Sequence, residues 1–583
     1  MSQNTEPKNK LFKIRHSASH IMAMAVLKFY PDAKLAIGPP IDDGFYYDFD
    51  LGDKTISVED FKKIEKEMWS IINSDIEFKA SKESIAAAKK RFKDQPYKLE
   101  SIEDLAKEGE SEIGLYQSGD FIDLCKGPHV GKSKEIGAFK LLKVAGAYWR
   151  GDEKKKMLQR VYGTAYGDKP SLNKHLKQIE EAEKRDHRKI GAELDLFTFS
   201  ELVGGGLPMF TPYGQVLRDQ IEKFLEELQI PHGYKKVWIP HIAKKELYQT
   251  SGHWDKFSDD IFHVSSKGEE AFVLKPMNCP HHIQIYASQA RSYRDLPIRY
   301  FEVTAMYRDE QTGQLHGLSR VRAITIDDAH CFCQPDQVEA EVKANYDIIQ
   351  EFYKVFDMPL EATLSLRDPK QADKYIGDPK VWDMAEDKLR QILQSRVKDF
   401  KEYEGEAAFY GPKIDFKATD AIGREWQLAT IQLDFSLPER FELEYIDQNS
   451  QKTRPVMLHR AISGSLERFL SILIENYAGA FPTWLAPVQV GILPVSGKFN
   501  DDAKKLGDKL TASGIRVEID EGDDTVSYKI RKAAKRKLPY VLVFGDKEKD
   551  GQLNVRVRGQ EKMELLDVES FIKKLQEQIK NKS

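Results

Sequence analysis

Hydrophobic and polar residues alternate along Phe301–Arg308, a pattern that predicts a β-strand. A polar segment that contains glycine follows at Gln311–Leu315, and strand-like spacing resumes from Leu318 to Phe332. Two such runs around a short polar connection predict an antiparallel hairpin. Three arginines project from this hairpin: Arg308, Arg320 and Arg322. Because guanidinium groups bind phosphates through paired hydrogen bonds, the hairpin fits either a polyanion site or an ordinary surface with salt bridges.

Helical spacing dominates two other stretches. Leu11–Tyr30 predicts a helix that ends before Pro31, and Tyr213–Ile242 predicts a long amphipathic helix followed by a strand that closes at Pro240. From about residue 485 onward, short apolar strands alternate with helical stretches such as Asp501–Ala512. This alternation predicts a small α/β domain with a mixed sheet at the end of the chain.

The composition is that of a soluble globular protein, with 583 residues, of which 41% are hydrophobic and 31% are charged. This length predicts three or four domains. The formal net charge of −4 gives no general attraction to nucleic acid, so any such surface must be local. Only four cysteines occur, which favours a reducing compartment. The polar first ten residues predict a disordered tail without a signal peptide, and we therefore expect a cytoplasmic protein without a membrane span.

Two pairs of candidate ligands occur in the first 170 residues. His16 and His20 are four residues apart on the predicted first helix, and so lie on one face. Cys125 and His129 are also four residues apart. The four side chains together can bind zinc or can form a hydrolytic cluster, whereas each pair alone is more often structural.

The segments around these pairs resemble the editing domain of the threonine–tRNA ligase family. They are HSASH, AIGPPIDDGFYYDFDL, DLCKGPHV and KVAGAYWRGDEKKKMLQRVYGTAYGD. The first and third spacings also occur in alanine enzymes and free-standing editing proteins, whereas AGAYWRGD favours the threonine family. The resemblance implies hydrolysis of serine wrongly joined to tRNA, with or without a metal. The implied editing residues are His16, His20, Lys98, Asp123, Cys125 and His129.

A second set of candidate ligands is widely spaced. Cys279 lies between two prolines in LKPMNCPHH, and a lone cysteine is usually a small buried hydrophobic residue. No local spacing links it to His330 or His459. The family resemblance, however, implies that these three residues hold one zinc ion per chain, a donor set with an open position that is typical of catalytic zinc.

Three segments resemble the signature motifs of class II aminoacyl-tRNA ligases: Tyr213–Ile242, the hairpin Phe301–Cys333, and GSLERF at 464–469. The first motif implies a homodimer. The others imply that the hairpin binds ATP with Mg²⁺, with Arg308 at the α-phosphate and Arg468 at the γ-phosphate. The remaining implied contacts are Arg320, Glu310 and Gln432 with ATP; Met277, Asp328, Tyr410 and Ser465 with threonine; and His253, Gln427 and Lys413 in catalysis.

The last segment carries a basic run, KIRKAAKRK at 529–537, with six basic residues in nine. Such a run is usually a solvated helix face. Here the segment resembles the anticodon-binding domain of class IIa ligases, which implies tRNA as a partner and phosphate contacts that weaken with salt. The implied anticodon contacts are Arg531, Glu548 and Arg556.

The resemblance runs from about Leu11 to the end and implies an α+β multidomain protein. The expected limits are 1–10 for the tail, 11–170 for the editing domain, 171–190 for a helical linker, 191–484 for a catalytic domain on an antiparallel sheet, and 485–583 for the anticodon-binding domain. The usual N-terminal ubiquitin-like domain is not expected.

Three residues depart from the family pattern. Ile324 replaces an aromatic residue that stacks on adenine, Ile326 replaces a glutamine, and Ala429 replaces a glycine. The expected activity is ATP-dependent attachment of L-threonine to tRNA through threonyl-adenylate, with editing of Ser-tRNA. Another class II ligase and a non-catalytic RNA-binding protein are the alternatives.

Overall fold

The structure is a computed structural model that describes residues 5–152, 154–256, 258–268 and 270–583. The chain divides after Glu181 into two compact units. In the described residues, no helix combines the length and the apolar character that a membrane span requires.

The first unit is built from helices and antiparallel strands. Its helices are α1 (Thr5–Phe29), α2 (Phe61–Asn73), α3 (Ile85–Arg91), α4 (Pro96–Lys107) and α5 (Lys169–Lys184), the last of which crosses the boundary. Its strands are β1 (Lys34–Leu35), β2 (Pro40–Ile41), β3 (Gly44–Asp50), β4 (Phe78–Ser84), β5 (Glu112–Ser118), β6 (Phe121–Leu124), β7 (Ala138–Tyr148) and β8 (Met157–Tyr166). One sheet has the order β1-β3-β8-β7 with β2 beside β3, and the other has the order β4-β5-β6.

Helix α1 is the centre of this unit. Its apolar residues Ile14, Ala18, Ile21 and Ala25 recur at helical spacing and are buried with strands β3 and β8. The expected tail is partly wrong, because residues 5–10 are already helical, while residues 1–4 lie outside the described residues. Pro7 is compatible with this start, since the first turn of a helix needs no backbone donor there.

The second unit carries the larger sheet. Its helices are α6 (His187–Glu193), α7 (Pro212–Gln229), α8 (Lys245–Ser251), α9 (His253–Lys256), α10 (Cys279–Ala287), α11 (Val338–Val355), α12 (Pro379–Gln394), α13 (Ser436–Arg440), α14 (Leu466–Asn476), α15 (Asn500–Ala512), α16 (Val526–Lys535), α17 (Asp546–Lys549) and α18 (Val568–Lys580).

Its strands are β9 (Phe197–Thr198), β10 (Met209–Phe210), β11 (Lys235–Lys236), β12 (Ile242–Lys244), β13 (His263–Val264), β14 (Phe272–Leu274), β15 (Ile298–Tyr307), β16 (Ala323–Cys333), β17 (Leu360–Leu366), β18 (Lys401–Glu404), β19 (Lys413–Thr419), β20 (Glu425–Asp434), β21 (Tyr445–Ile446), β22 (Lys452–Thr453), β23 (Val456–Ser465), β24 (Val490–Pro494), β25 (Val517–Ile519), β26 (Tyr540–Phe544), β27 (Gln552–Val557) and β28 (Glu564–Asp567).

The main sheet has eight strands in the order β11-β15-β16-β23-β20-β19-β17-β18. Neighbours are antiparallel except for β11 with β15 and β17 with β18. Helices α7, α11 and α14 bury their apolar faces together with the inward residues of this sheet. The expected fold class, an α+β protein with an antiparallel-sheet core, is confirmed.

The predicted hairpin is formed by β15 and β16, with Tyr300 opposite His330 and Met306 opposite Ile324. The second strand begins at Ala323 rather than at Leu318, so this boundary was wrong. Leu318 and Val321 are buried although they lie in the connecting loop, and their apolar spacing therefore imitates a strand.

The strand predicted after α7 is also shorter than expected, since it contains only Lys235 and Lys236. Backbone bonding to β15 continues to Val237, whose N–H donates to the Phe301 carbonyl at 3.0 Å, whereas the N–H of Ile239 donates to the side chain of Glu302.

The last part of the chain forms the sheet β25-β24-β26-β27-β28, in which β24 is parallel to β25 and β26 while β27 and β28 run antiparallel. The predicted mixed sheet is therefore present. It has its own apolar core, to which α15 and α18 contribute.

A buried ionic group joins β16 to β23. The Asp327 carboxylate accepts hydrogen bonds from the backbone N–H groups of Ile462 and Ser463, at 2.6 and 2.9 Å, and from the Ser463 hydroxyl at 2.8 Å. The Arg460 guanidinium lies 3.6 Å away. Burial raises the pKa of Asp327 to about 6, against the opposing effect of Arg460 and these donors.

We expect Asp327→Ala to destabilise the second unit by about 3–5 kcal/mol, because it leaves the Arg460 charge and several donors buried without their acceptor. Urea unfolding followed by tryptophan fluorescence measures this change. Asp336→Ala is the matched control, since Asp336 is exposed just beyond the same strand. Equal midpoints for the two variants would contradict the assignment.

Candidate active sites

A buried Cys-His-His centre lies on the main sheet. Cys279 is the first residue of α10, whereas His330 and His459 are directly opposite each other on β16 and β23. One ligand atom from each side chain lies within 4.8 Å of the others, and all three residues are buried. The structure therefore brings together three residues that no sequence spacing connects.

The surroundings of this centre orient its imidazoles. His459 Nε2 is 2.8 Å from Asp434 Oδ2, and Asp434 is itself fixed because Oδ1 accepts from the backbone N–H groups of Ser436 and Leu437. Among the described residues, His330 Nε2 is buried without a hydrogen-bond partner. Burial lowers the pKa of His330 and raises that of Cys279. A cysteine sulfur, bound as the thiolate, and imidazole nitrogens are donors that zinc prefers, so the residues present fit this metal.

The side chains of Ile324, Ile326, Asp328 and His330 share one face of β16, because alternate residues of a strand point the same way. Asp328 Oδ2 accepts from the Asn278 amide at 3.1 Å, and its other oxygen is 3.6 Å from His330 Nε2. A carboxylate is thus placed beside the candidate metal ligands.

The other residues expected at the amino acid are distributed around this face. Tyr410 packs against His459, with ring centroids 4.8 Å apart, and its hydroxyl donates to Gln432. Met277 Sδ is 3.2 Å from Arg308 Nη2. Ser465 caps α14 by accepting from the Arg468 backbone at 3.3 Å.

Lys413 pairs across the strands with Gln432, and its ammonium is 2.8 Å from Asp415. His253 is fully buried, with Nδ1 2.8 Å from the Ser251 hydroxyl and Nε2 3.8 Å from Cys279 Sγ. Gln427 is exposed on β20, five residues before Gln432.

The arginines of the expected nucleotide site have different environments. Burial lowers the pKa of both Arg308 and Arg468, and the Arg468 guanidinium lies 5.7 Å from the centre of the Trp426 ring. Arg320 instead forms an ion pair with Glu310 at 2.7 Å. The expected ATP contacts Glu310 and Arg320 therefore engage each other in this structure.

A histidine that no sequence pattern indicates anchors the loop between β15 and β16. His187 Nε2 accepts from the Leu318 backbone N–H at 3.0 Å, while Nδ1 lies 2.7 Å from Glu475 at the end of α14. These residues are too far apart in sequence for any local pattern to connect them.

The first unit brings together its own cluster. His16 and His20 lie on α1, and Cys125 and His129 lie after β6, with ligand atoms all within 4.8 Å. Cys125 Sγ is 3.3 Å from His16 Nε2 and 3.2 Å from His129 Nε2. Burial raises the pKa of Cys125 to about 11 and lowers that of all three histidines. At neutral pH the cluster therefore holds a protonated thiol and neutral imidazoles.

Lys98 and Asp123 border the same cavity, which has a volume of about 700 Å³. Lys98 Nζ is 2.5 Å from Asp123 Oδ1, and Asp123 Oδ2 is 3.6 Å from His20 Nε2. Two further residues that no sequence pattern indicates contact this group. The hydroxyl of Tyr47 donates to Asp123 at 2.5 Å and accepts from Lys98 at 3.1 Å. The hydroxyl of Ser17 lies 3.1 Å from His129 Nδ1.

Most of the basic run at 529–537 has structural partners. Lys529 is buried and donates to backbone carbonyls of Pro494 and Asp520, and Arg536 pairs with Glu518. Of the expected anticodon contacts, Arg531 and Arg556 are exposed. Glu548 is buried, and its carboxylate accepts from the Gly545 backbone and the Asn554 amide.

Comparisons with known proteins agree with this arrangement of units. Residues 262–477 match the family model for the tRNA synthetase class II core domain (G, H, P, S and T), and residues 489–578 match the anticodon binding domain. Residues 113–162 match the threonyl and alanyl tRNA synthetase second additional domain. The fold and the site thus define a class II aminoacyl-tRNA synthetase.

Comparison with individual relatives identifies the family within this class. The chain is 47% identical to a threonine–tRNA ligase of Rubrobacter xylanophilus, over 95% of this chain and 86% of that protein, and 48% identical to one of Cytophaga hutchinsonii, over 97% and 88%. A solved structure of the RNA-binding domain of threonyl-tRNA synthetase from Cryptosporidium parvum Iowa II has a TM-score of 0.65 at 36% identity, covering 67% of this chain and 98% of that one. The chain belongs to the threonine–tRNA ligase family, which confirms the expected membership.

The raised pKa of Cys125 predicts slow alkylation. We expect the rate with iodoacetamide to rise about tenfold per pH unit from pH 7 to 9, because the reactive thiolate is a small fraction below its pKa of about 11. Mass spectrometry of the Cys125 peptide measures the rate, and free cysteine is the control. A rate that is already at its plateau at pH 8 would contradict the prediction.

Proposed function

We propose that this chain joins L-threonine to tRNA(Thr) through threonyl-adenylate and hydrolyses serine from wrongly charged tRNA(Thr). One observation carries the proposal: a buried Cys-His-His centre lies beside a carboxylate and the arginine-bearing hairpin, while the other unit holds a separate, neutral histidine–cysteine cluster. The first arrangement suits the reading of a hydroxylated amino acid, and the second suits hydrolysis.

Zinc is the metal proposed for Cys279, His330 and His459. When bound, it supplies a Lewis acid that can coordinate both the amino group and the hydroxyl group of threonine. Asp434 orients His459 from behind, as outer ligands commonly do at metal sites. Asp328 is placed to accept a hydrogen bond from the threonine hydroxyl.

The limited selectivity of this amino-acid site explains why a second, hydrolytic site is needed. Valine lacks the hydroxyl, and a site built to bind a hydroxyl rejects such an analogue by about 10⁴-fold or more. Serine keeps the hydroxyl and loses one methyl contact, which is worth roughly 1–3 kcal/mol, or about 10–200-fold. Serine must therefore be removed after attachment.

In the first step, a threonine carboxylate oxygen attacks the α-phosphorus of ATP and pyrophosphate leaves. We assign charge neutralisation on the α-phosphate to Arg308 and on the γ-phosphate to Arg468, together with Mg²⁺. Glu310, Arg320 and Gln432 complete the ATP contacts, which requires the pair of Arg320 with Glu310 to rearrange. The remaining surface of the proposed active site is lined by Met277, Tyr410, Ser465, Lys413 and Gln427.

In the second step, a terminal ribose hydroxyl of tRNA attacks the threonyl carbonyl and AMP leaves. We assign His253 as the group that accepts the hydroxyl proton. Burial lowers the pKa of His253 to about 3, so the imidazole is neutral at pH 7 and has an unprotonated nitrogen that can accept a proton. The Ser251 hydroxyl at Nδ1 fixes the direction of Nε2.

In editing, a water oxygen attacks the ester carbonyl of Ser-tRNA, and the ribose oxygen leaves with a proton. His16, His20, Cys125 and His129 order and deprotonate this water, which their neutral imidazoles permit. Lys98 and Asp123, which line the cavity, hold the seryl group inside it.

We further propose a cytoplasmic homodimer. Trp238 and Ile230 are 75% and 56% exposed in the segment after α7, and burial of such apolar surface favours association. Arg531 and Arg556 are exposed for contact with the anticodon, whereas Glu548 must first release its own backbone partner. The domain limits proposed are those of the sequence analysis, with the first domain beginning within α1.

Amino-acid-dependent ATP–pyrophosphate exchange tests the main reaction. With zinc present, we expect threonine to be preferred over serine by about 10–200-fold and over valine by about 10⁴-fold, because valine lacks a ligand to the metal. Better exchange with proline, alanine or serine would favour another class II ligase. A chain that forms no threonyl-adenylate would be an RNA-binding protein.

Replacement of His16 and His20 by alanine tests the editing site. We expect threonylation to continue at the wild-type rate while Ser-tRNA accumulates, since the two reactions use different units. Acid-gel analysis of tRNA charged with radioactive serine measures the product. His175→Ala is the control, because it removes a histidine of the same unit outside the cluster. No increase in Ser-tRNA for the double variant would overturn the editing assignment.

A further inference from the structure

His330 has two ring nitrogens with different environments. Nδ1 lies 2.7 Å from Nδ1 of His282, a residue that the mechanism above does not use. Nε2 is buried, has no hydrogen-bond partner among the described residues, and lies near Asp328. Because Nδ1 is occupied, Nε2 is the nitrogen that remains for a metal.

The 2.7 Å contact requires one proton between two nitrogens. A neutral imidazole carries a single N–H, so in this contact one ring donates through Nδ1 and the other accepts. If His282 donated, the proton of His330 would sit on Nε2 and block metal binding. If His330 donates, its Nε2 carries a lone pair. A metal at the centre therefore needs His282 as the acceptor.

We propose that His282 is the positioning residue of the metal centre, holding His330 in the tautomer and orientation that present Nε2 to zinc. His282 is suited to this role because it follows Cys279 by three residues on α10, so both lie on one face of the helix. Helix α10 thereby supplies one proposed ligand, Cys279, and the residue that orients another, His330. This inference rests on the proposed zinc centre.

The neighbouring His281 provides a matched comparison. It lies on the same helix and is almost as buried, yet neither ring nitrogen makes a hydrogen bond among the described residues. If removal of any buried histidine of α10 weakened zinc binding, replacement of either residue would lower the affinity. If zinc binding depends on the hydrogen-bond acceptor, only replacement of His282 lowers it.

The test compares full-length wild type, His282→Leu, His282→Gln and His281→Leu. Each metal-free protein is titrated with Zn²⁺ against a chromophoric chelator, and with Co²⁺ while its visible absorption is recorded. We expect His282→Leu to weaken zinc binding by about 10–100-fold and to alter the Co²⁺ spectrum, because leucine fills space but accepts no hydrogen bond. His282→Gln, which retains an acceptor, should stay within about threefold of wild type.

His281→Leu should bind zinc as wild type does, and thermal unfolding of the metal-free proteins identifies any variant that fails to fold. Unchanged zinc affinity in His282→Leu would overturn the inference, as would equal losses in the leucine and glutamine variants. If wild type itself bound neither metal, the proposed centre would fail, an outcome distinct from failure of the role of His282.

Discussion

The register of β16 against β23 is the constraint on which the catalytic unit depends. It places His330 directly opposite His459, and the Asp327 carboxylate fixes it by accepting from backbone groups of β23. Since side chains alternate along a strand, a slip by one residue would turn His330 away from the centre and turn Ala329 and Cys331 out of the apolar core toward it. The buried pair of Asp327 with Arg460 therefore contributes positional accuracy to the site as well as stability.

Burial gives the two clusters a common property that serves different chemistry. In both, burial raises the pKa of the cysteine thiol, and it lowers the pKa of His330 on the main sheet and of the three histidines in the first unit. On the main sheet, the imidazoles are candidate metal ligands, and a bound cation would displace the thiol proton. In the first unit, the cluster opens onto a cavity that also contains Lys98 and Asp123, where neutral imidazoles can accept a proton from water.

The features that the sequence predicts best are those that a local pattern of residue spacing marks. The hairpin, α1, the pair His16 and His20, and the final mixed sheet follow from periodicity, whereas the Cys-His-His set came only from family resemblance. The start of β16 was misplaced because Leu318 is buried although it lies in a loop and not in a strand. Its backbone N–H donates to His187, which is distant in sequence. The sequence does not indicate roles for His282 and Tyr47, because their partners are distant in sequence and come near only in the folded chain.

The order of these groups along the chain has a consequence for synthesis at the ribosome. All four residues of the histidine–cysteine cluster in the first unit precede residue 130, whereas the Cys-His-His set is incomplete until His459 and the rest of β23 have emerged. Because amino-terminal units generally fold first as a chain is made, the first unit can form while the main sheet is still unfinished. A nascent molecule thus acquires the means to correct an error before it is able to make one.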